Sequence, residues 1–162
     1  MNLDAIDFVL VGTTHPGNIG ASARAMKTMG LSRLVLVDPA KYPHAEATAR
    51  ASGADDVLYR AQVFDDLDAA LKDCRLVIGA SARRRGIVCP ELEPRAFARQ
   101  VADISRYGRV AVVFGRESSG LSNEELDRCH FMVRIPSNPD YGSLNLAAAV
   151  QVLSYELRMT AL

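Results

Sequence analysis

The chain has 162 residues, 49% hydrophobic and 23% charged, with 19 basic side chains against 19 acidic ones. That length suits one domain whose core needs no disulfide or metal staples; no apolar run reaches the roughly 18 residues of a membrane helix, and Met1-Asn2-Leu3-Asp4 is no basic, apolar leader, so a cytoplasmic location is expected. At face value, zero net charge argues against a nucleic-acid partner.

Short runs rich in Val, Leu and Ile alternate with helix-like stretches, and no repeat or low-complexity linker divides them. In chain order the expected elements are a strand over 6–12, a helix over 19–29 closed by Gly30, a strand over 33–38 and a helix over 44–51 closed by Gly53. A weaker strand over 56–59, a helix over 66–72, a strand over 75–80 and a helix over 94–104 come next. A strand over 109–114, a helix over 123–128 with Ser122 or Asn123 as its cap, and a strand over 131–135 follow. The last helix, over 143–159, carries Leu144, Leu146, Ala147, Ala148, Val150, Val152, Leu153, Tyr155 and Leu157 around most of its circumference. Such a helix is buried on several sides, in a core or a subunit interface. Continuous apolar runs such as Val110-Ala111-Val112-Val113-Phe114 suit strands covered on both faces. The alternation predicts an α/β fold with a mainly parallel sheet flanked by helices.

In such a sheet, ligands bind beyond the carboxyl ends of the strands, so the loops there carry the chemistry. The first reads Gly12-Thr13-Thr14-His15-Pro16-Gly17-Asn18-Ile19-Gly20. Its glycine spacing, with Pro16 inside, does not match the G-x-G-x-x-G of a dinucleotide site, which disfavours a nicotinamide-dependent oxidoreductase. Asn18 can cap the following helix, and Arg24 lies about 600° further round, on another face. The two can serve one site if Asn18 lies in the loop and Arg24 in the second turn. Taken singly, a plain cap and a surface salt bridge are the simpler readings.

The second loop, Gly115-Arg116-Glu117-Ser118-Ser119-Gly120, has small residues that let backbone approach a ligand. It lacks the Lys and spacing of a phosphate loop, and Arg116-Glu117 can simply close the turn as an ion pair. The third, residues 135–142, is dense in turn residues and leads to Ser143 as cap of the last helix. Asn145 then enters an apolar helix, where its amide requires a partner. Cys74, Cys89 and Cys129 read as separate buried thiols, and His15, His44 and His130 lack ligand spacing. No disulfide and no metal are expected. The basic residues are 16 Arg and 3 Lys; genome bias explains that as well as a choice of planar forks for phosphate or carboxylate does. Arg83-Arg84-Arg85 is either a solvated charge run or a phosphate grip.

Together and in this order, GNIGASARAMKTMGL (17–31), VFGRESSGLSNEEL (113–126) and IPSNPDYGSLNLAAAVQVLSYELRM (135–159) resemble the SPOUT superfamily of RNA methyltransferases, and within it the TrmJ-type tRNA ribose 2'-O-methyltransferases. The resemblance covers essentially the whole chain. It implies a single catalytic domain over 1–162 with a C-terminal trefoil knot, lacking the C-terminal extension of TrmJ-type proteins. It implies S-adenosylmethionine (AdoMet) held by Ala80, Ser81, Ala82, Gly115, Glu117, Gly120, Ile135, Pro136, Ser143 and Leu144. It further implies an active site of Asn18, Arg24, Glu117, Ser143 and Asn145, and a homodimer. tRNA contacts are expected from Arg24, Arg83, Arg84, Arg85 and Arg116, and methylation at nucleotide 32. Another RNA site such as the wobble nucleotide 34, or a non-catalytic RNA-binding module, are the alternatives. On this reading, neutrality predicts weak, salt-sensitive RNA binding by the chain alone.

Overall fold

The apolar runs become the strands of one sheet, seen in a computed structural model that describes residues 1–81 and 89–162. β1 (Ile6–Val11) is buried along its whole length, as are nearly all of β2 (Arg33–Val37) and β6 (Arg109–Phe114). With β3 (Gln62–Phe64), β4 (Cys74–Ala80), β5 (Glu91–Leu92) and β7 (Phe131–Val133) they form a seven-stranded sheet of order β3-β2-β1-β6-β4-β7-β5. Every pairing is parallel. Strand residues alternate between faces. Phe8, Leu10, Leu34, Leu36, Ile78 and Val112 lie under α1 (Pro16–Thr28), α2 (Ala45–Ala51), α3 (Asp55–Tyr59), α5 (Pro94–Ile104) and α7 (Leu146–Ala161). Val9, Val11, Val35, Val37, Ala111 and Val113 face the shorter α4 (Leu67–Leu71) and α6 (Asn123–Leu126). At the amino end of β1, the buried Asp7 carboxylate accepts from Arg33 Nε at 2.6 Å and Arg109 at 3.4 Å.

The architecture is the expected one, with four local differences. The segment expected as a strand over 56–59 is helix α3, with Asp55 and Asp56 in its positive first turn and Val57 and Leu58 turned inward. An apolar run this short fits either element, and packing under β2 decides it. The strand comes just after, as β3. β5 was not expected: its two residues pair with Met132 and Val133 at the sheet edge, too short a segment for a period-2 pattern to register.

The other two differences shift a helix start. α1 begins at Pro16 rather than at residue 19, because proline lacks the N–H that a first turn leaves unpaired. His15 therefore holds the cap position and Asn18 the first turn. α7 begins at Leu146, and its cap is Asn145 rather than Ser143: Asn145 Oδ1 accepts the Ala147 N–H at 2.9 Å.

α7 packs between α1 and α5 and buries Leu146, Val150, Leu153 and Leu157. That placement is compatible with a C-terminal knot. Its remaining side leaves Tyr155 and Met159 about half exposed. Burial pushes the Cys129 thiol up to about 12, and burial followed by the nearby Asp7 carboxylate pushes Cys74 up to about 11, so both stay protonated at neutral pH.

The closest helix crossing is that of α1 over α2. A Cβ on Gly20 would run into the Ala47 carbonyl and crowd the Ala51 nitrogen, both backbone atoms that cannot rotate away. Ala in place of Gly ordinarily strengthens a helix by about 1 kcal/mol. Gly20→Ala is expected to reverse that sign and destabilise the fold by about 1–3 kcal/mol, as overpacking does. Urea denaturation reads the difference, and an unchanged or raised midpoint would contradict the crossing described.

Candidate active site

β1 and β6 are neighbours, yet the chain leaves β1 towards β2 on one side and β6 towards β7 on the other. A crevice opens beyond the carboxyl ends of strands that diverge in this way. Glu117, in the loop after β6, crosses it. Its Oε1 accepts the Thr14 N–H and its Oε2 the His15 N–H, each at 3.0 Å. Asn18 Nδ2 donates to the same Oε2 at 3.0 Å. These donors form the amino terminus of α1, where positive potential favours an anion. Partial burial alone would raise the Glu117 pKa, but the hydrogen bonds from Thr14, His15 and Asn18 outweigh it and hold it at about 2. The group is a carboxylate at any physiological pH.

From Glu117 the contacts continue to the last helix. Asn18 spends its Nδ2 on Glu117, which leaves its Oδ1 to accept from Asn145 Nδ2 at 3.4 Å. Asn145 in turn faces Oδ1 towards the Ala147 N–H, which fixes the orientation of that amide as well. The partner that Asn145 requires is therefore Asn18. The first turns of α1 and α7 are joined through two oriented amides.

The loop after β6 is shaped separately. Arg116 and Gly120 exchange both backbone hydrogen bonds, at 3.2 and 2.9 Å. Gly120 turns the chain at φ +71°, and Gly115 has no room for a Cβ, which would overlap the Gly120 carbonyl carbon and the Leu121 nitrogen. The Arg116 side chain leaves the turn altogether. It lies against Gly12 and forms a two-pronged ion pair with Glu125, at 2.9 and 3.1 Å. Glu125 also accepts the Ser122 N–H at 2.7 Å, and Ser122 Oγ accepts the Glu125 N–H, so a capping box of α6 holds the pair. Arg116 and Glu117, adjacent in sequence, bind different partners, Glu125 and the residues that lead into α1.

Beside this junction a cleft lies over the ends of β4, β6 and β7. Among the residues expected to bind cofactor, Ala80, Ser81, Gly115, Glu117, Gly120, Ile135, Ser143 and Leu144 line it, whereas Pro136 does not. Ala82 lies outside the described residues, as do Arg83, Arg84 and Arg85. Phe114, Ser118, Val133, Gly142, Leu146 and Ala149 also line it and were missed, and so does Arg116, which was expected only to contact RNA. Leu146 and Ala149 are one helical turn apart, a signal that becomes readable only once Asn145 is known to cap α7. The backbone donors of Thr14 and His15 have no side-chain signature at all.

The structure thus brings Asn18, Glu117 and Asn145 into one hydrogen-bonded set, with Ser143 exposed at the cleft. Arg24 stands apart: it is exposed in α1, about 9 Å along the axis from Asn18 at 1.5 Å per residue. Asn18 being helical, the arrangement with Asn18 in a loop and Arg24 in the second turn does not occur. Among the described residues Arg24 has no hydrogen-bond or ion-pair partner.

The match to the SpoU rRNA Methylase family extends over residues 5–155. The chain is 60% identical over 158 residues to the tRNA (cytidine/uridine/adenosine-2'-O-)-methyltransferase TrmJ of Pseudomonas aeruginosa, covering 97% of this chain and 62% of that protein. It therefore spans less than two thirds of that relative's length. Its fold superposes with TM-score 0.92 on a probable methylase family protein of Haemophilus influenzae, at 51% identity over 98% of this chain and 66% of the other. Superposition on TrmJ of Z. mobilis gives TM-score 0.90 at 36% identity, over 94% of this chain and 68% of the other. A crevice at diverging strand ends, a glycine-shaped loop over an apolar cleft and a family match along nearly the whole chain agree: this protein belongs to the SpoU rRNA methylase family.

Proposed function

We propose that the chain is the AdoMet-dependent catalytic domain of a tRNA ribose 2'-O-methyltransferase acting at nucleotide 32 of the anticodon loop, working in the cytoplasm as a homodimer. The observation that carries the reading is the oriented Glu117–Asn18–Asn145 set beside the cleft, in a chain 60% identical to a tRNA 2'-O-methyltransferase. The donor set fits the cofactor. Phe114, Ile135, Leu144 and Leu146 offer an apolar slot for an adenine ring, and Gly115 puts backbone instead of a side chain in the cleft wall. Bound there, AdoMet supplies an electrophilic methyl group on a sulfonium. The half-exposed Tyr155 and Met159 of α7 support a second copy packing on that side.

The chain's own residues then have distinct tasks. Glu117 is a positioning residue: ionised and hydrogen-bonded to three donors, it aims the Asn18 amide. The amides of Asn18 and Asn145, with the hydroxyl of Ser143, orient the ribose, and fixed orientation supplies much of the acceleration in a two-substrate reaction. Arg24 is a poor base, since a guanidinium keeps its proton in proteins. Its role is to grip the adjacent RNA phosphate through two N–H groups and stabilise charge developing on the ribose oxygen, while a non-bridging phosphate oxygen accepts the hydroxyl proton. Arg83, Arg84 and Arg85 are proposed as further phosphate contacts. Arg116 is already paired with Glu125 through both prongs, so its first task is to shape the loop.

Three outcomes test this. Isothermal titration should show AdoMet binding with no binding of NAD, and nucleoside mapping should find a 2'-O-methyl group at nucleotide 32 only in tRNA exposed to the protein. Methylation elsewhere in the RNA would move the assignment of the target.

Replacing Arg24 by Lys keeps the charge and loses the planar fork. Turnover at saturating RNA should fall at least about tenfold, and near-full turnover would exclude the two-pronged grip.

The third test concerns pH. Glu117 has a folded pKa of about 2, below its ordinary 4.5, so its stabilising effect is present above about pH 4.5 and lost as pH falls towards 2. The wild type should exceed Glu117→Gln in stability at pH 6, with the gap closing on acidification. A gap independent of pH would show that the ionised carboxylate contributes nothing.

A further inference from the structure

Tyr141 is a large aromatic residue that the fold leaves 85% exposed. Its position is well determined by its neighbours. The Tyr141 N–H donates to the Asn138 carbonyl at 3.1 Å, Asn138 Oδ1 accepts the Asp140 N–H at 3.0 Å, and Ser137 Oγ donates to the Gly142 carbonyl at 2.9 Å. Pro139 further restricts this turn. Such a turn fixes the backbone that carries the ring and leaves the ring itself uncovered.

Its location sets it apart from the other strongly exposed tyrosines. Tyr59 ends α3, and Tyr107 precedes β6, at the amino ends of the strands. Tyr141 instead lies in the loop that also carries Ser143 and Asn145. Gly142, Ser143 and Leu144 line the cleft, while Tyr141 does not. The ring is therefore outside the cofactor slot, in the same loop as Ser143 and Asn145. The residue beside it is the exposed Asp140, which repels a phosphate and leaves the ring face for an uncharged group. Among the described residues, no hydrogen bond ties down the Tyr141 hydroxyl.

We infer that Tyr141 is a substrate-positioning residue whose ring stacks on the unpaired nucleobase of the nucleotide being methylated, holding that nucleotide out of its loop stack while Asn18, Ser143 and Asn145 take the ribose. This rests on the RNA methyltransferase reading above. Single-stranded loops are recognised by splaying bases onto aromatic rings, and such stacking tolerates any base because every base has a π-face.

The test is direct binding of an anticodon stem-loop RNA, with and without the base at the target nucleotide, by fluorescence anisotropy at low salt. Stacking of about 1–3 kcal/mol per base corresponds to a 5- to 150-fold effect. Tyr141→Ala should weaken binding of the intact stem-loop by that factor and leave binding of the abasic one unchanged. Tyr141→Phe should bind both as the wild type does, and AdoMet affinity measured by calorimetry should be the same in all three proteins. The inference is overturned if Tyr141→Ala binds the intact RNA normally, or if it loses intact and abasic RNA equally. It also falls if Tyr141→Phe matches the alanine variant or if AdoMet affinity drops with the ring. Methyl transfer by the wild type is scored separately: its absence counts against the functional reading, whereas these affinities judge the stacking role without turnover.

Discussion

The Glu117 carboxylate is the constraint on which the rest of the site depends. A negative charge at the amino terminus of α1 accepts the N–H groups of the cap residue His15 and of Thr14 before it, and a third bond turns the Asn18 amide to a single orientation. Because Asn18 is oriented, Asn145 is oriented, and because Asn145 caps α7, the last helix is registered against the first. One charge thus couples segments 99 and 127 residues apart in sequence. The price is chemical: a carboxylate with its pKa at about 2 cannot serve as a base near neutrality. What it does in the fold is hold Thr14, His15 and the Asn18 amide in place.

The arginine-rich composition takes on a different meaning in the folded chain. Arg33 and Arg109 neutralise the buried Asp7, Arg116 grips Glu125 with both prongs, and Arg128 holds Asp68 at 2.8 Å. The planar fork is used for carboxylates within the molecule as much as for any external ligand. Zero net charge is a count of side chains and does not tell which cations are paired and which are free. Arg24, unpaired among the described residues, is the cation that the pairing leaves over on α1. Neutrality and recognition of an anionic polymer are compatible when the free charge is local.

Periodicity and apolar content made most of the architecture legible. Runs such as Phe8-Val9-Leu10-Val11 suit strands buried on both faces, and glycines and prolines mark their ends. Legibility failed where elements were short: residues 55–59 became α3 and not a strand because their apolar pair packs inward over β2, and β5 is two residues held by pairing with β7. The polar residue types of three loops were legible, and the resemblance singled out Asn18, Arg24, Glu117, Ser143 and Asn145, of which the fold joins Asn18, Glu117 and Asn145 by hydrogen bonds and leaves Arg24 apart. Their partners were not legible. Sequence adjacency suggested pairing Arg116 with Glu117, whereas Arg116 pairs with Glu125 and Glu117 with Thr14, His15 and Asn18.

The sequence by itself therefore determined the class of fold, the order of most strands and helices along the chain, and which loops carry the polar residues. These are local properties, set by side-chain period and by the backbone preferences of glycine and proline. Only the tertiary structure decided that β1 and β6 lie side by side, that Glu117 reaches α1, that Asn145 finds Asn18, and that Gly20 must stay without a side chain beneath Ala47. Each of these joins groups that are distant in the chain. Hydrogen-bond geometry and close packing select them from many chemically acceptable partners, and only the assembled sheet brings the chosen pair within about 3 Å.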